Sequence, residues 1–197
     1  MNASDPRLRL DHLAVAAETL ADGVAWVEER LGVPMAPGGQ HPAMGTHNRL
    51  LSLGPDVYLE VIAIDPEASA PPYARWFGLD TFQGAPRLQA WIVALDDISH
   101  APASAGRPVA LARSGLHWQM AVPEDGLLPM GGLHPAFIAW GQGGHPTDRL
   151  PKCDVRLQAL QITHPRATDL LDTVTGLSAP RVRIAQGPPG LAAVLDT

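Results

Sequence analysis

The chain has 197 residues, 46% of them hydrophobic and 17% charged, with a formal net charge of -6. That length and apolar content suffice for one large domain or two small modules and argue against disorder. The acidic balance argues against nucleic acid or an anionic membrane surface as partner, and the single cysteine, Cys153, excludes an intrachain disulfide and any cysteine-only metal cluster.

The N-terminal stretch MNASDPRLRLDH has no apolar leader core, and no apolar run approaches membrane-spanning length. The expectation is a soluble, cytoplasmic protein. Leu8 to Ala16 reads as a strand. Thr19 is an N-cap candidate with Asp22 three residues on, and Leu20, Val24, Val27 and Leu31 recur at helical spacing. Gly32 and Pro34 end that helix. Gly38 to Pro42 reads as a loop. Asn48–Leu53 and Val57–Ile64 are two strands around a Gly-Pro-Asp turn. Ala68 to Pro86 is an irregular connector carrying Tyr73, Trp76 and Phe77, either a linker or a flap over a pocket.

The same order then recurs. Arg87 to Leu95 is a strand, Asp96 to Gly106 has a weak helical pattern, and Pro108–Arg113 with Leu116–Val122 forms a hairpin around Ser114-Gly115. Ala136 to Gly141 is a further strand. A partial third copy follows: a strand over Val155–Thr163, a helix entered at Pro165 and ended by Gly176, and short strands at Val182–Ala185 and Leu191–Leu195. The openings LDHLAV, LQAWIV and LQALQI look alike, as an internal duplication would leave them. The predicted class is α+β. The predicted divisions are a first βαβββ module over 1–67, a connector over 68–86, a degenerate second module over 87–150 and a C-terminal βαββ segment over 151–197. The third segment would leave a strand edge for a homodimer to cover.

Two polar residues stand out in apolar strands. Glu60 is the one carboxylate in Val57–Ile64, and a buried, unpaired carboxylate is costly. It is therefore neutral, paired with a cation, or bound to a metal. His12 shares a strand face with Leu8, Leu10 and Ala14, because side chains alternate with period two.

LDHLAVAA with its following helix, GTHNRLLSLGPDVYLEVIAID and FIAWGQGGHPTDRLP together resemble the glyoxalase-like branch of the vicinal oxygen chelate superfamily. The resemblance implies two βαβββ modules paired into a cup-shaped open barrel. It also implies a divalent metal (Zn, Fe, Ni or Mn) held by a histidine on a first strand and a carboxylate on a last strand, here His12 and Glu60. The second module departs from the pattern. Ala90 matches His12, and the position matching Glu60 falls at Ala139 or Trp140.

The remaining candidates follow from residue type. His145 is the preferred replacement metal ligand or acid–base group, since histidine suits both roles near neutral pH. Asn48 is placed to point into the pocket. Trp91, Trp118 and Trp140 are expected to line it, since a small organic ligand needs apolar, aromatic walls around a few polar groups. No nucleophile motif, phosphate loop or dinucleotide fingerprint is present. Two functions stay open. One is a metal-assisted isomerase, lyase or dioxygenase in which His12 and Glu60 serve catalysis on a substrate with vicinal oxygens. The other is a metal-free small-molecule binding protein of the same fold.

Overall fold

The computed structural model describes residues 8–197. The stretch MNASDPR, on which part of the leader argument rests, lies outside the described residues. The first module runs β1 (Arg9–Ala16), α1 (Leu20–Leu31), β2 (Ala36–His41), β3 (Thr46–Ser52) and β4 (Tyr58–Ile64). The second runs β5 (Arg87–Ala94), β6 (Arg107–Arg113), β7 (Leu116–Val122) and β8 (Ala136–Trp140). Together they make one eight-stranded sheet in the order β2-β3-β4-β1-β5-β8-β7-β6, curled into a half-barrel. In each half the first and last strands pair in parallel, β1 with β4 and β5 with β8, and the halves join through antiparallel β1 and β5.

Helix α1 begins and ends as its residues dictate. The Thr19 hydroxyl accepts from the Asp22 backbone N–H at 3.1 Å and donates to the Asp22 carboxylate at 2.7 Å. Gly32, at φ 68, closes the helix in the left-handed conformation that a Cβ disfavours. Gly23 sits mid-helix for a packing reason. A Cβ there would lie 2.5 Å from Val61 Cγ1, so the helix could not approach the sheet as closely.

Two expectations are corrected. Gly38-Gly39 was expected in a loop but lies within β2, at a register shift between Pro37 and Gln40. Asp96–Gly106 is not a helix but two 3-10 turns, Ile98–His100 and Ala103–Ala105. Pro102 between them and Gly106 after them prevent a continuous α-helix. The Ser114-Gly115 hairpin is present, with φ values of 49 and 76. Both central residues are thus left-handed, as the twist of a two-residue hairpin requires.

The C-terminal segment forms its own sheet. Strand β9 (Arg156–Thr163) lies between β10 (Val182–Ala185) and β11 (Gly190–Asp196), and helix α2 (Ala167–Thr173) follows β9. Leu157, Leu160 and Ile162 of β9 join Val27 of α1 and the outward residues of the large sheet (Leu13, Val15, Val61, Trp91, Val93, Phe137) in one core. A second core fills the inside of the cup with Ala14, Ile62, Ala90, Ile92, Trp118, Met120 and Ile138, capped by Trp76, Phe77 and Leu79 of the connector. The connector is thus a flap, closed over the inner face. No helix among the described residues is long and apolar enough to cross a membrane.

Candidate functional site

The inner face is polar on one side only, and a β-bulge sets that polarity. In the β1–β5 ladder Leu10 pairs with Val93 and His12 with Ile92, leaving Asp11 as the extra residue. Bulges re-aim side chains, and this one lets two consecutive polar side chains reach the inner side. Asp11 and His12 are both buried, at 3% exposure each. His12 Nδ1 lies 2.5 Å from Asp11 Oδ1, and His12 Nε2 lies 3.6 Å from Glu60 Oε2. Tyr58, beside His12 in the ladder, stacks on the imidazole with ring centroids 4.5 Å apart.

The polar chain extends both ways. Asp11 Oδ2 accepts from Trp140 Nε1 at 2.8 Å and meets His145 Nε2 at 3.1 Å. Glu60 Oε1 accepts from Asn48 Nδ2 at 2.5 Å. Asn48 Oδ1 in turn accepts from the Gly39 backbone N–H at 2.9 Å and from Arg113 NH1 at 2.7 Å. Arg113 NH1 also reaches His41 Nε2 at 2.9 Å, while His41 Nδ1 contacts Thr46 Oγ1 at 3.0 Å. An arginine is a donor only, so His41 Nε2 presents its lone pair and Nδ1 carries the proton.

Burial and pairing compete at every charge here. Burial disfavours a charged His12, but the hydrogen bond to Asp11 and the Glu60 carboxylate 3.6 Å away outweigh it and raise the imidazole to about 9. Burial likewise opposes ionisation of Glu60, yet the His12 contact and the Asn48 bond bring it down to about 2. Asp11 is desolvated too, and its bonds to His12 and His145 hold it well below the usual carboxylate range. For His41, burial prevails and lowers it to about 4, with Arg113 adding to the effect. Burial beside Asp11 and Glu60 pushes the Tyr58 hydroxyl well above 10.0. At neutral pH the arrangement is carboxylate, imidazolium, carboxylate, with a neutral imidazole and a guanidinium alongside.

The cavity these groups line is small, about 20 Å³, room for little more than one water. His12, Asn48, Glu60, Trp118 and Trp140 line it. Trp91 does not. It faces the outer core and donates its Nε1 proton to the Leu133 carbonyl, because on β5 the inward positions are Ala90 and Ile92. His145 reaches Asp11 and is not among the residues that line the cavity with Glu60. Asp11, His41, Tyr58, Trp76 and Arg113 were missed. Asp11 was hidden because strict alternation assigns it to the outer face. Arg113 was hidden because its partners lie on strands remote in sequence.

The second half lacks counterparts to the pair. Exchanging the halves about the β1–β5 ladder, where His12 pairs with Ile92 and Ala14 with Ala90, maps His12 onto Ala90. Ala14 pairs with Glu60, and Ile92 pairs with Ala136, so Ala136 replaces Glu60. Of the two expected positions, Ala139 faces the outer core and Trp140 lines the cavity. A divalent metal would therefore find His12 and Glu60 on one wall and alanine or isoleucine on the other. His41 Nε2 and Asn48 Oδ1, the other nearby donors, are taken by the Arg113 cation. Among the described residues no three His, Cys, Asp or Glu side chains are placed to hold a metal ion. The donor set fits such a metal poorly.

A family model described as a glyoxalase-like domain matches residues 10–177. No curated protein matches the chain. A hypothetical protein from Staphylococcus aureus shares the fold at TM-score 0.60 and 14% identity, over 86% of this chain and 75% of that one. Methylmalonyl-CoA epimerase from Mycobacterium tuberculosis aligns at TM-score 0.47 and 17% identity, over 68% of this chain and 88% of that one.

Proposed function

The chain belongs to the glyoxalase-like domain family, and from that premise we propose that its cup takes a small carbonyl compound and moves a proton on it with Glu60 and His12. The observation that carries this reading is the 3.6 Å gap between His12 Nε2 and Glu60 Oε2. That contact is long for a hydrogen bond, so a substrate oxygen that takes the Nε2 proton donor displaces it at little cost. Glu60 then gives up its direct contact with the His12 cation while staying buried, and its pKa rises. It is a stronger base with substrate present than without it.

The proposed step is removal of a proton from the carbon next to the carbonyl. The C–H bond breaks, the proton goes to a Glu60 oxygen, and the electron pair moves to the carbonyl oxygen. That oxygen accepts a hydrogen bond from the His12 imidazolium, which Asp11 keeps charged and oriented. Return of the proton to either face or to a neighbouring carbon gives isomerase chemistry, and loss of a neighbouring group gives lyase chemistry. The isomerase, lyase or dioxygenase chemistry expected with a metal gives way here to metal-independent proton transfer, because the second wall offers no ligands.

The test is proton exchange in D2O. Glycolaldehyde, dihydroxyacetone and pyruvate are incubated with chelator-treated protein and followed by NMR. Deuterium incorporation next to the carbonyl is expected with the wild type, falling at least about 10²-fold in Glu60→Gln. Equal incorporation in both proteins contradicts the reading. Binding without exchange supports the second reading, a metal-free small-molecule binding protein of the same fold.

A further inference from the structure

Arg113 is an unusual cation. Its NH1 is held by two neutral acceptors, His41 Nε2 and Asn48 Oδ1. The arginine ion pairs among the described residues belong to Arg9, Arg30, Arg75 and Arg166. A half-buried guanidinium without a carboxylate is costly unless something anionic joins it. The fold nevertheless makes room for it. A Cβ on Gly39 would lie 2.7 Å from Arg113 Cδ, and one on Gly38 would lie 2.3 Å from Asn48 Oδ1. The two glycines of β2 thus clear a channel for the arginine and for the amide that aims it.

The same cavity holds a donor that has no acceptor. Trp76 is buried at 4% exposure and lines the cavity, and its Nε1 has no hydrogen-bond partner among the described residues. Its neighbour Phe77 sits at φ 58, a strained conformation for a non-glycine residue. A guanidinium without a paired carboxylate, one unmatched donor and a strained flap meet at this cavity.

We propose that Arg113 recognises a carboxylate on the molecule the cup accepts, so that the substrates are small 2-hydroxy or 2-oxo carboxylic acids. This rests on the proton-transfer reading of the same site. The spacing favours it. Asn48 bonds Arg113 through Oδ1 and Glu60 through Nδ2, so one amide group separates guanidinium from base. A carboxylate and its adjacent carbon span a similar short distance. The carboxylate docks on the guanidinium with charge-assisted bonds, and the carbon that bears the mobile proton, C2 of a 2-hydroxy acid or C3 of a 2-oxo acid, faces Glu60. Trp76 and Phe77 shift to admit the ligand, and the indole N–H gains an oxygen acceptor.

The probes are glycolate and its neutral analogue glycolamide, titrated against tryptophan fluorescence, since Trp76 and Trp118 line the cavity. The wild type should bind glycolate in the millimolar range expected for so small a ligand and glycolamide at least about tenfold more weakly. Arg113→Gln should lose the preference for the anion, and Arg113→Lys should restore part of it. Glycolamide bound as well as glycolate, or no glycolate binding by the wild type, overturns the proposal, and that comparison needs no variant. Retained anion preference in a folded Arg113→Gln overturns it as well. Glu60→Gln should still bind glycolate, which separates this proposal from the proton-transfer reading: glycolate binding without deuterium exchange removes that reading and leaves the carboxylate site standing.

Discussion

The two halves of the curled sheet share a topology and differ in what they put inside it. The first half lines the cup with His12, His41, Asn48 and Glu60, and the second with Ala90, Ile92, Met120 and Ile138. The difference extends to the connections. The first half spans its crossover with the twelve-residue α1, the second with two 3-10 turns. Strand pairing is satisfied by backbone groups whatever the side chains, so a duplicated frame tolerates divergence inside. A buried charge is tolerated only with its partners. The polar wall is therefore a network or nothing, whereas residues of the apolar wall act one at a time. The second half still contributes at its margins, through Trp140 and Arg113, which reach across to Asp11 and Asn48.

The sharpest way to break this comparison is to remove one member of the network. Asp11→Asn leaves the His12 imidazolium without its closest counter-charge and should cost about 3–5 kcal/mol of stability, measured by urea unfolding. A loss below about 1 kcal/mol would mean that the groups act singly and the two walls are alike.

The pH profile comes next. His12 is raised from 6.5 to about 9, so its contribution is complete below pH 6.5 and is lost as pH rises toward 9. His41 is lowered from 6.5 to about 4, so stability falls as pH drops from 6.5 toward 4. Glu60, lowered from 4.5 to about 2, contributes above pH 4.5 and loses that contribution as pH falls toward 2. Stability should therefore peak near pH 6.5, and His12→Gln should flatten the alkaline limb. An unfolding midpoint still rising from pH 7 to 9 would contradict this assignment.

Trp140→Phe removes a hydrogen bond to a buried carboxylate and should cost about 2 kcal/mol. The smallest effect belongs to the apolar wall, where Ile138→Val removes one methylene and should cost about 1 kcal/mol. Both are read by the same unfolding curves. The pair sharpens the comparison only if they fall in that order.

Much of the frame was legible in the sequence, because strand and helix periodicity are local. Thr19, Gly32 and the Ser114-Gly115 turn marked their elements through chemistry confined to a few residues. His12 and Glu60 stood out because a polar residue amid apolar neighbours needs a partner, and the structure brings the two to 3.6 Å. What alternation hid was the bulge at Asp11, since one extra residue reverses the facing of its side chain. Trp91 was misplaced for the opposite reason: it was expected as an aromatic wall of the cup, although alternation from the inward Ala90 turns it outward. His41 and Arg113 were illegible for another reason. Their contact spans 72 positions of sequence and depends on two glycines leaving space, which no local pattern encodes.

The central claim is that the positive charge of the His12 imidazolium, held between Asp11 on Nδ1 and Glu60 on the Nε2 side, takes the place of the metal that the resemblance implies. The most direct test is an NMR titration of His12, comparing the wild type with Glu60→Gln in chelator-treated protein. The wild-type imidazole should stay protonated through neutrality and titrate near 9, and the Glu60→Gln value should fall clearly below it. A wild-type His12 that is neutral at pH 7, or one that titrates identically in both proteins, would contradict the account.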